Sequence, residues 1–386
     1  MLSLVRRARI HFLRRCVARL GRPDVARFQP PVTRGGNLLR ALMGLFADTR
    51  RAESLLMGPI SFELMRTGCN VGLFDLLDDR PGLTTLEVAE ALRLAPYPTD
   101  ILVLGLTALK LVERIDGRYY NDPLLSQPLL KGSSNDLLRK HFEYMHHVIV
   151  PAAMDLQDSV LQNRPMGRHR LFGDAENYYE AIARDPNRYP WFEQFIGTYT
   201  QVNRDRVASL PLFSRCRRIL DVGGNNGEMA LAIARLNPGC RVTVYDFPAV
   251  VEKAEERFRA AGLSDRLDTI GGDILERALP AGYDCILYSH VGEIFSPAHY
   301  TEMLRRAFDA LPSGGGICIF SPVVFDDETG PLVSAVFSSY FLFLANGEGK
   351  FHSVKSISGW MADIGFREIT RHRLPMYEVV LAGTRP

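Results

Sequence analysis

With 386 residues, 46% of them hydrophobic and 23% charged, the chain is long enough for two domains with sizeable cores, and its composition excludes disordered and fibrous classes. A net charge of +2 gives the chain as a whole no pull toward nucleic acid, although arginine crowds the first forty residues. Six cysteines, at 16, 69, 216, 240, 285 and 318, lack the spacing of a metal site or a disulfide framework, so the expectation is reduced thiols, a cytoplasmic protein and no metal.

Residues 1–36 read as a basic arm in which Leu2, Val5, Ile10, Leu13, Val17 and Leu20 can share one helical stripe among arginines. No apolar run reaches the roughly 7 residues of a signal-peptide core or the roughly 20 of a membrane span. The favoured expectation is an arm packed on the body or on a second copy; peripheral contact with an anionic membrane is the less favoured one.

Helical periodicity dominates residues 37–210. SFELMRTGCNVGLFDLL predicts a mostly buried helix interrupted by Gly68 and Gly72. LTTLEVAEAL then predicts a capped helix, and DILVLGLTALKLVERI a longer one after a proline-bearing turn. Asp116 and Gly117 mark a hairpin. This is the order of a winged helix, but the second helix carries only Lys110 and Arg114 as cations, too few to hold a phosphate backbone. The module is expected to be architectural.

Residues 211–386 alternate apolar strands with helices. Arg218 to Pro238 reads as strand, glycine loop and helix, and RVTVYDF supplies a second strand ending in Asp246, nineteen residues after Gly227. That arrangement suits a nucleoside, because backbone approaches the ligand where side chains are absent and a carboxylate accepts two ribose hydroxyls. A dinucleotide fits poorly: Val222 stands where the first glycine of its fingerprint belongs, and Glu228 opens the helix that would face a pyrophosphate. S-adenosylmethionine, which has a ribose but no phosphate, fits better. RLDTIGGDILE brings Gly272 and Asp273 to a third strand end, YDCILYSHVGEIF brings His290 and Glu293 to a fourth, and SGGGICIFSPVVF gives a fifth strand. Ligands in such sheets bind at the carboxyl ends of strands.

LDVGGNNG, Asp246-Phe247-Pro248 and Gly272-Asp273 together resemble the motifs of class I S-adenosylmethionine-dependent methyltransferases, specifically the small-molecule O-methyltransferases of plants and bacteria, over about residues 38 to 386. The resemblance implies an α/β architecture: a Rossmann-like catalytic domain preceded by an all-helical, winged-helix-like domain that forms a homodimer. It also implies that Gly223 and Gly227 leave space for the methionine part of the cofactor, Asp246 holds the ribose hydroxyls and Asp273 approaches the adenine amine. Asp221, Gly224, Phe247, Gly272, Ile274 and Ser289 complete the cradle. Asn225 and Asn226 replace small residues of the family loop, a change that suits left-handed backbone.

His290 falls on the family's base position, but Val291 and Gly292 replace the residues that usually follow it. The acidic partner of the plant-type enzymes is missing too, since Phe351 stands in its place. The usual dyad is therefore broken, and Glu293 and Glu348 are the substitutes within reach of the motif. Met145, His147, Tyr199, Asn203, Phe337, Tyr340 and Phe341 are the expected acceptor wall. Adjacent His146 and His147 point about 100° apart, so one at most can face a pocket. The implied activity is methylation of a hydroxyl on an aromatic or polyketide-like small molecule. Methylation at nitrogen or carbon, a cofactor-dependent reaction without methyl transfer, and a noncatalytic winged-helix regulator stay open.

Overall fold

The computed structural model describes residues 50–132 and 137–386. The basic arm, and the run that follows it to residue 49, lie outside the described residues. Residues 65–386 form one compact unit, within which the sites considered below all lie. Among the described residues no helix is long and apolar enough to cross a membrane, and the five described cysteines form no disulfide.

The predicted first helix is two, α1 (Gly58–Asn70) and α2 (Leu73–Asp79). The break falls at Gly72, whose φ of 81° is left-handed. Gly68 does not interrupt the helix: it is a contact point, where a Cβ would stand 2.9 Å from both Leu106 and Phe74. Helix α3 (Thr85–Leu92) is closed by a reciprocal capping box, in which Thr84 Oγ1 accepts from the Glu87 amide and Glu87 accepts from the Thr84 amide. Proline opens α4 (Pro96–Ala108), and a hairpin follows, β1 (Val112–Ile115) against β2 (Arg118–Asn121). Its turn residues Asp116 and Gly117 both have positive φ, as a two-residue turn matched to strand twist requires. Further helices lead to α5 (Tyr189–Ala208).

The sheet domain runs β3 (Arg218–Val222), α6 (Glu228–Leu236), β4 (Arg241–Asp246), α7 (Pro248–Ala260), β5 (Leu267–Gly271), β6 (Cys285–Ser289), α8 (Pro297–Ala310) and β7 (Gly316–Pro322). Helices α9 (Leu332–Phe343) and α10 (Val354–Ile364) precede a closing pair, β8 (Arg367–Arg373) and β9 (Glu378–Thr384). The seven strands lie in the order β5-β4-β3-β6-β7-β9-β8. The first five are parallel, while β9 inserts antiparallel between β7 and β8. The five parallel strands match the sequence reading; the closing pair was not anticipated from it.

Side chains alternate across the sheet, so Ile219 and Leu287 join a core under α6, whereas Leu220, Val222 and Ile286 join another under α8 and α10. Each such fully buried Leu or Ile contributes about 1.5–3 kcal/mol. Two packed faces make the sheet a rigid floor. The strand order reverses between β3 and β6, where crossovers leave to opposite sides and a crevice opens at the strand ends.

Candidate active site

A cavity occupies that crevice, floored by the ends of β3, β4, β5 and β6 and roofed by α5. On the floor, Val222 hands over to Gly223, whose φ is 71° and whose missing Cβ would lie 2.5 Å from Val291. A Cβ on Gly224 would stand 2.7 Å from Asp221 Oδ2, so the loop can pass over the carboxylate only as glycine. Asn225 takes the left-handed conformation, with φ 50°.

Three of the carboxylates that line the cavity stand at or just past strand ends. Asp221 is fully buried, and neither of its oxygens has a hydrogen-bond partner. Burial and the neighbouring charge of Asp246 push its carboxyl up to about 7. Asp246 is held in place: the Phe247 amide donates to Oδ1 at 2.7 Å and the Asn225 amide to Oδ2 at 2.9 Å. Burial pushes it up to about 6 against the opposing pull of these two bonds. Asp273 Oδ1 accepts from the Leu275 amide at 2.7 Å. An orphaned buried carboxylate beside a second one fits a cationic, hydroxyl-bearing ligand and opposes a pyrophosphate, which is the chemistry of S-adenosylmethionine.

Nine of the ten expected cradle residues line this cavity: Asp221, Gly223, Gly224, Asp246, Phe247, Gly272, Asp273, Ile274 and Ser289. Gly227 does not. It caps α6 with φ 76° and gives room to the ring of Phe258, because the chain has already turned away from the crevice. Glu228 is also not the bare charge the sequence suggested, since Arg204 and Arg257 both pair with it. The case against a dinucleotide therefore rests on the missing glycine and the acidic lining.

His290 closes the floor beside Ser289 and is held in a left-handed conformation, φ 58°, its amide donating to the Phe320 carbonyl at 2.8 Å. Such a conformation costs a non-glycine residue about 1–3 kcal/mol, which the surrounding fold must supply. Its Nε2 lies 3.0 Å from Oε1 of Glu378, the first residue of β9. The approach is an ion-pair distance that falls outside hydrogen-bond geometry, since each atom lacks a hydrogen-bond partner. Burial pulls the imidazole down, but Glu378 and then Glu293 outweigh it and the ring is raised above its ordinary value. Glu293 is buried nearby, accepts from Ser321 Oγ at 3.0 Å, and has its carboxyl raised by burial.

Glu348 is a correction. It is not among the residues lining the cavity and pairs with His299 Nδ1 at 2.7 Å, in partly exposed surroundings. Phe351, at the family's acid position, packs edge-on to Phe341 at 5.3 Å in an aromatic cluster that would strand a carboxylate.

The expected acceptor wall is corrected as well, for none of the six of its residues whose side chains are described lines the cavity. Tyr340 and Phe341 belong to an aromatic core, and Phe337 and Met145 pack against it. His147 is turned aside by a π-helical turn over Met145–Ile149, pairs with Glu143 at 3.2 Å and stacks on Trp191. Asn203 is fully buried and donates to Glu378 Oε2 and to the Pro375 carbonyl. Tyr199 is in α5, and its side chain lies outside the described residues. The roof is instead made of Tyr189, Phe192, Ile196 and Thr200, with Tyr179 and Asn346 beside it. The spacing of these α5 residues by three, four and four marks one helix face, a signal present in the sequence.

The family model for the O-methyltransferase domain matches residues 154–367. L-tyrosine C(3)-methyltransferase of Streptomyces lavendulae is 29% identical over 320 residues, spanning 83% of this chain and 87% of that one. The 3-hydroxy-5-methyl-1-naphthoate 3-O-methyltransferase of Streptomyces sahachiroi is 29% identical over 330 residues, spanning 84% and 91%. Among solved structures, the apo form of the S-adenosylmethionine-dependent methyltransferase SibL aligns with a TM-score of 0.76 at 33% identity, covering 88% of this chain and 100% of that one.

Proposed function

The chain belongs to the O-methyltransferase domain family and is an S-adenosylmethionine-dependent methyltransferase, and we propose that it methylates the hydroxyl of an aromatic small molecule, with His290 as the base. The observation that carries this reading is the position of His290, buried on the floor of the carboxylate-lined cavity and beneath an aromatic roof. When bound, S-adenosylmethionine supplies an electrophilic methyl group on a sulfonium. Asp246 and Asp273 would hold its nucleoside, and Asp221 would face its cationic part.

The protein's own contribution is then orientation and proton removal. Tyr189, Phe192 and Ile196 supply apolar area for a flat acceptor and exclude water. His290 takes the hydroxyl proton onto a ring nitrogen, leaving an oxyanion as nucleophile. General-base assistance of this kind is worth about 10²–10⁴-fold in rate, and alignment of the two reactants contributes further. A phenolate is nucleophilic at its oxygen and at the adjacent ring carbon. The similarity to an enzyme named as a tyrosine C(3)-methyltransferase makes ring-carbon methylation the second reading, served by the same base.

Radiolabelled methyl transfer across phenols, amines and polyketides, followed by mass spectrometry and NMR of the product, tests the proposal. A product heavier by one methyl group on oxygen supports it. Label on carbon selects the second reading, and an isomerised, unlabelled product refutes both.

We also propose a division near residue 210 between a winged-helix-like dimerisation region and the catalytic domain. In support, α4 exposes Tyr97, Ile101 and Leu104 along one stripe, an apolar face suited to a second copy. Light scattering after size exclusion should report a dimer at micromolar concentration; a monomer there would remove this proposal.

A further inference from the structure

The base has a partner that the family pattern does not place. We infer that Glu378, fixed by Asn203, is the positioning acid of His290: it orients the ring and compensates the charge the imidazole gains with the acceptor's proton. This rests on the reading of His290 as the base, but its test does not require an acceptor.

Several independent features converge on Glu378. Its side chain is 1% exposed, a setting in which a carboxylate persists only with charge or hydrogen bonds around it. Asn203 donates to Oε2, which leaves Oε1 to the ring at 3.0 Å. The same Asn203 amide donates to the Pro375 carbonyl at 3.1 Å, tying α5 to the turn that delivers Glu378. That turn has two left-handed residues in succession, Met376 at φ 63° and Tyr377 at φ 60°. The Tyr377 carbonyl accepts from the Val323 amide at 3.1 Å, and the Glu378 carbonyl from the Leu374 amide at 2.9 Å. Backbone strain at these positions is compatible with a fold that spends stability to aim one side chain.

The charges around the pair agree with this assignment. His290 is faced by Glu378 from β9 and by Glu293 from the turn after β6, while the Phe320 ring of β7 packs at 4.5 Å. Glu293 already takes the Ser321 hydroxyl. Glu378 also lines a second cavity, together with Arg371 and Arg373 of β8. With Nε2 turned to Glu378, Nδ1 is the nitrogen left to accept a proton. In the proton step the acceptor's O–H bond breaks, an Nδ1–H bond forms, and the electron pair stays on oxygen. The ring becomes an imidazolium opposite a carboxylate.

The test is nitrogen-15 NMR of imidazole-labelled full-length protein, with His290 assigned by comparison with H290A. We expect the wild-type ring to titrate above the ordinary histidine value and to carry its neutral-form proton on Nε2. In E378Q the midpoint should fall by about 1–3 pH units, the size expected for loss of an adjacent opposite charge. Calorimetric binding of S-adenosylhomocysteine monitors the fold. An unchanged midpoint in folded E378Q overturns the inference. Should E378Q fail to bind S-adenosylhomocysteine, the wild-type spectrum decides: an Nδ1–H tautomer, or a midpoint at or below the ordinary value, overturns the inference, and an Nε2–H tautomer with a raised midpoint supports it. Once an acceptor is known, E378Q should lower kcat tenfold or more at unchanged KM and move the acidic limb of the rate profile to lower pH.

Discussion

The cofactor cradle and the proton-accepting side share one cavity but are assembled differently. The cradle draws Asp221, Asp246 and Asp273 from successive parallel strands, each followed by its own loop. The other side brings together Asn203 and Glu378, 175 positions apart, with His290 between them in the chain. A cradle built from consecutive βα units is fixed by local backbone and survives changes elsewhere. A pair built across the whole domain depends on how α5 and the C-terminal strands dock.

If that contrast is right, the two halves can be damaged separately. The largest effect should come from His290→Ala, which is expected to lower turnover about 10²–10⁴-fold while leaving S-adenosylhomocysteine affinity within about twofold. Steady-state kinetics beside calorimetry would check it, and undiminished turnover would break the comparison by leaving only a cradle. Asp246→Ala should do the reverse. Losing two hydrogen bonds to a charged group, at about 1.5–3 kcal/mol each, weakens S-adenosylhomocysteine about a hundredfold or more. A loss below threefold would remove the ribose role.

A smaller, graded effect follows from the position of Asp246, raised by burial to about 6. The ionised form offers more acceptor capacity to the ribose hydroxyls than the protonated form. Affinity for S-adenosylhomocysteine should therefore be full above pH 7 and fall as pH drops through 6, by up to about tenfold per unit below it. Calorimetry from pH 5 to 8 reads this, and a flat profile would show that ionisation is not used. The smallest effect is expected from Glu348→Gln. Its pair with His299 is partly exposed and worth about 0–1 kcal/mol, so melting temperature and turnover should stay close to wild type. A tenfold fall in turnover would return Glu348 to the site.

Much of the first half is legible in the chain. The run LDVGGNNG, Asp246 and Gly272-Asp273 are backbone-determined features, and the apolar strands that carry them read directly as buried. Gly227 shows the limit of spacing alone, because it belongs to the motif yet serves the packing of Phe258. The aromatic run of α9 was expected to wall the acceptor, and packing assigned Tyr340 and Phe341 to the core with Phe337 against it. The cavity face of α5 was readable as a helical stripe, but nothing local says which stripe faces a ligand and which faces a neighbouring helix.

The sequence by itself determined the five strands of an open parallel sheet, the carboxylates at their ends and a histidine on the fourth. These follow from short-range rules: hydrophobic period, turn chemistry, and the need of a parallel strand for a crossover. Only the tertiary structure decided which acid serves that histidine. Glu378 opens an antiparallel strand inserted between β7 and β8, and it reaches His290 because the Met376–Tyr377 turn and Asn203 aim it inward. A side-chain contact across that distance leaves no periodicity in the chain, so it became visible only once the sheet had closed.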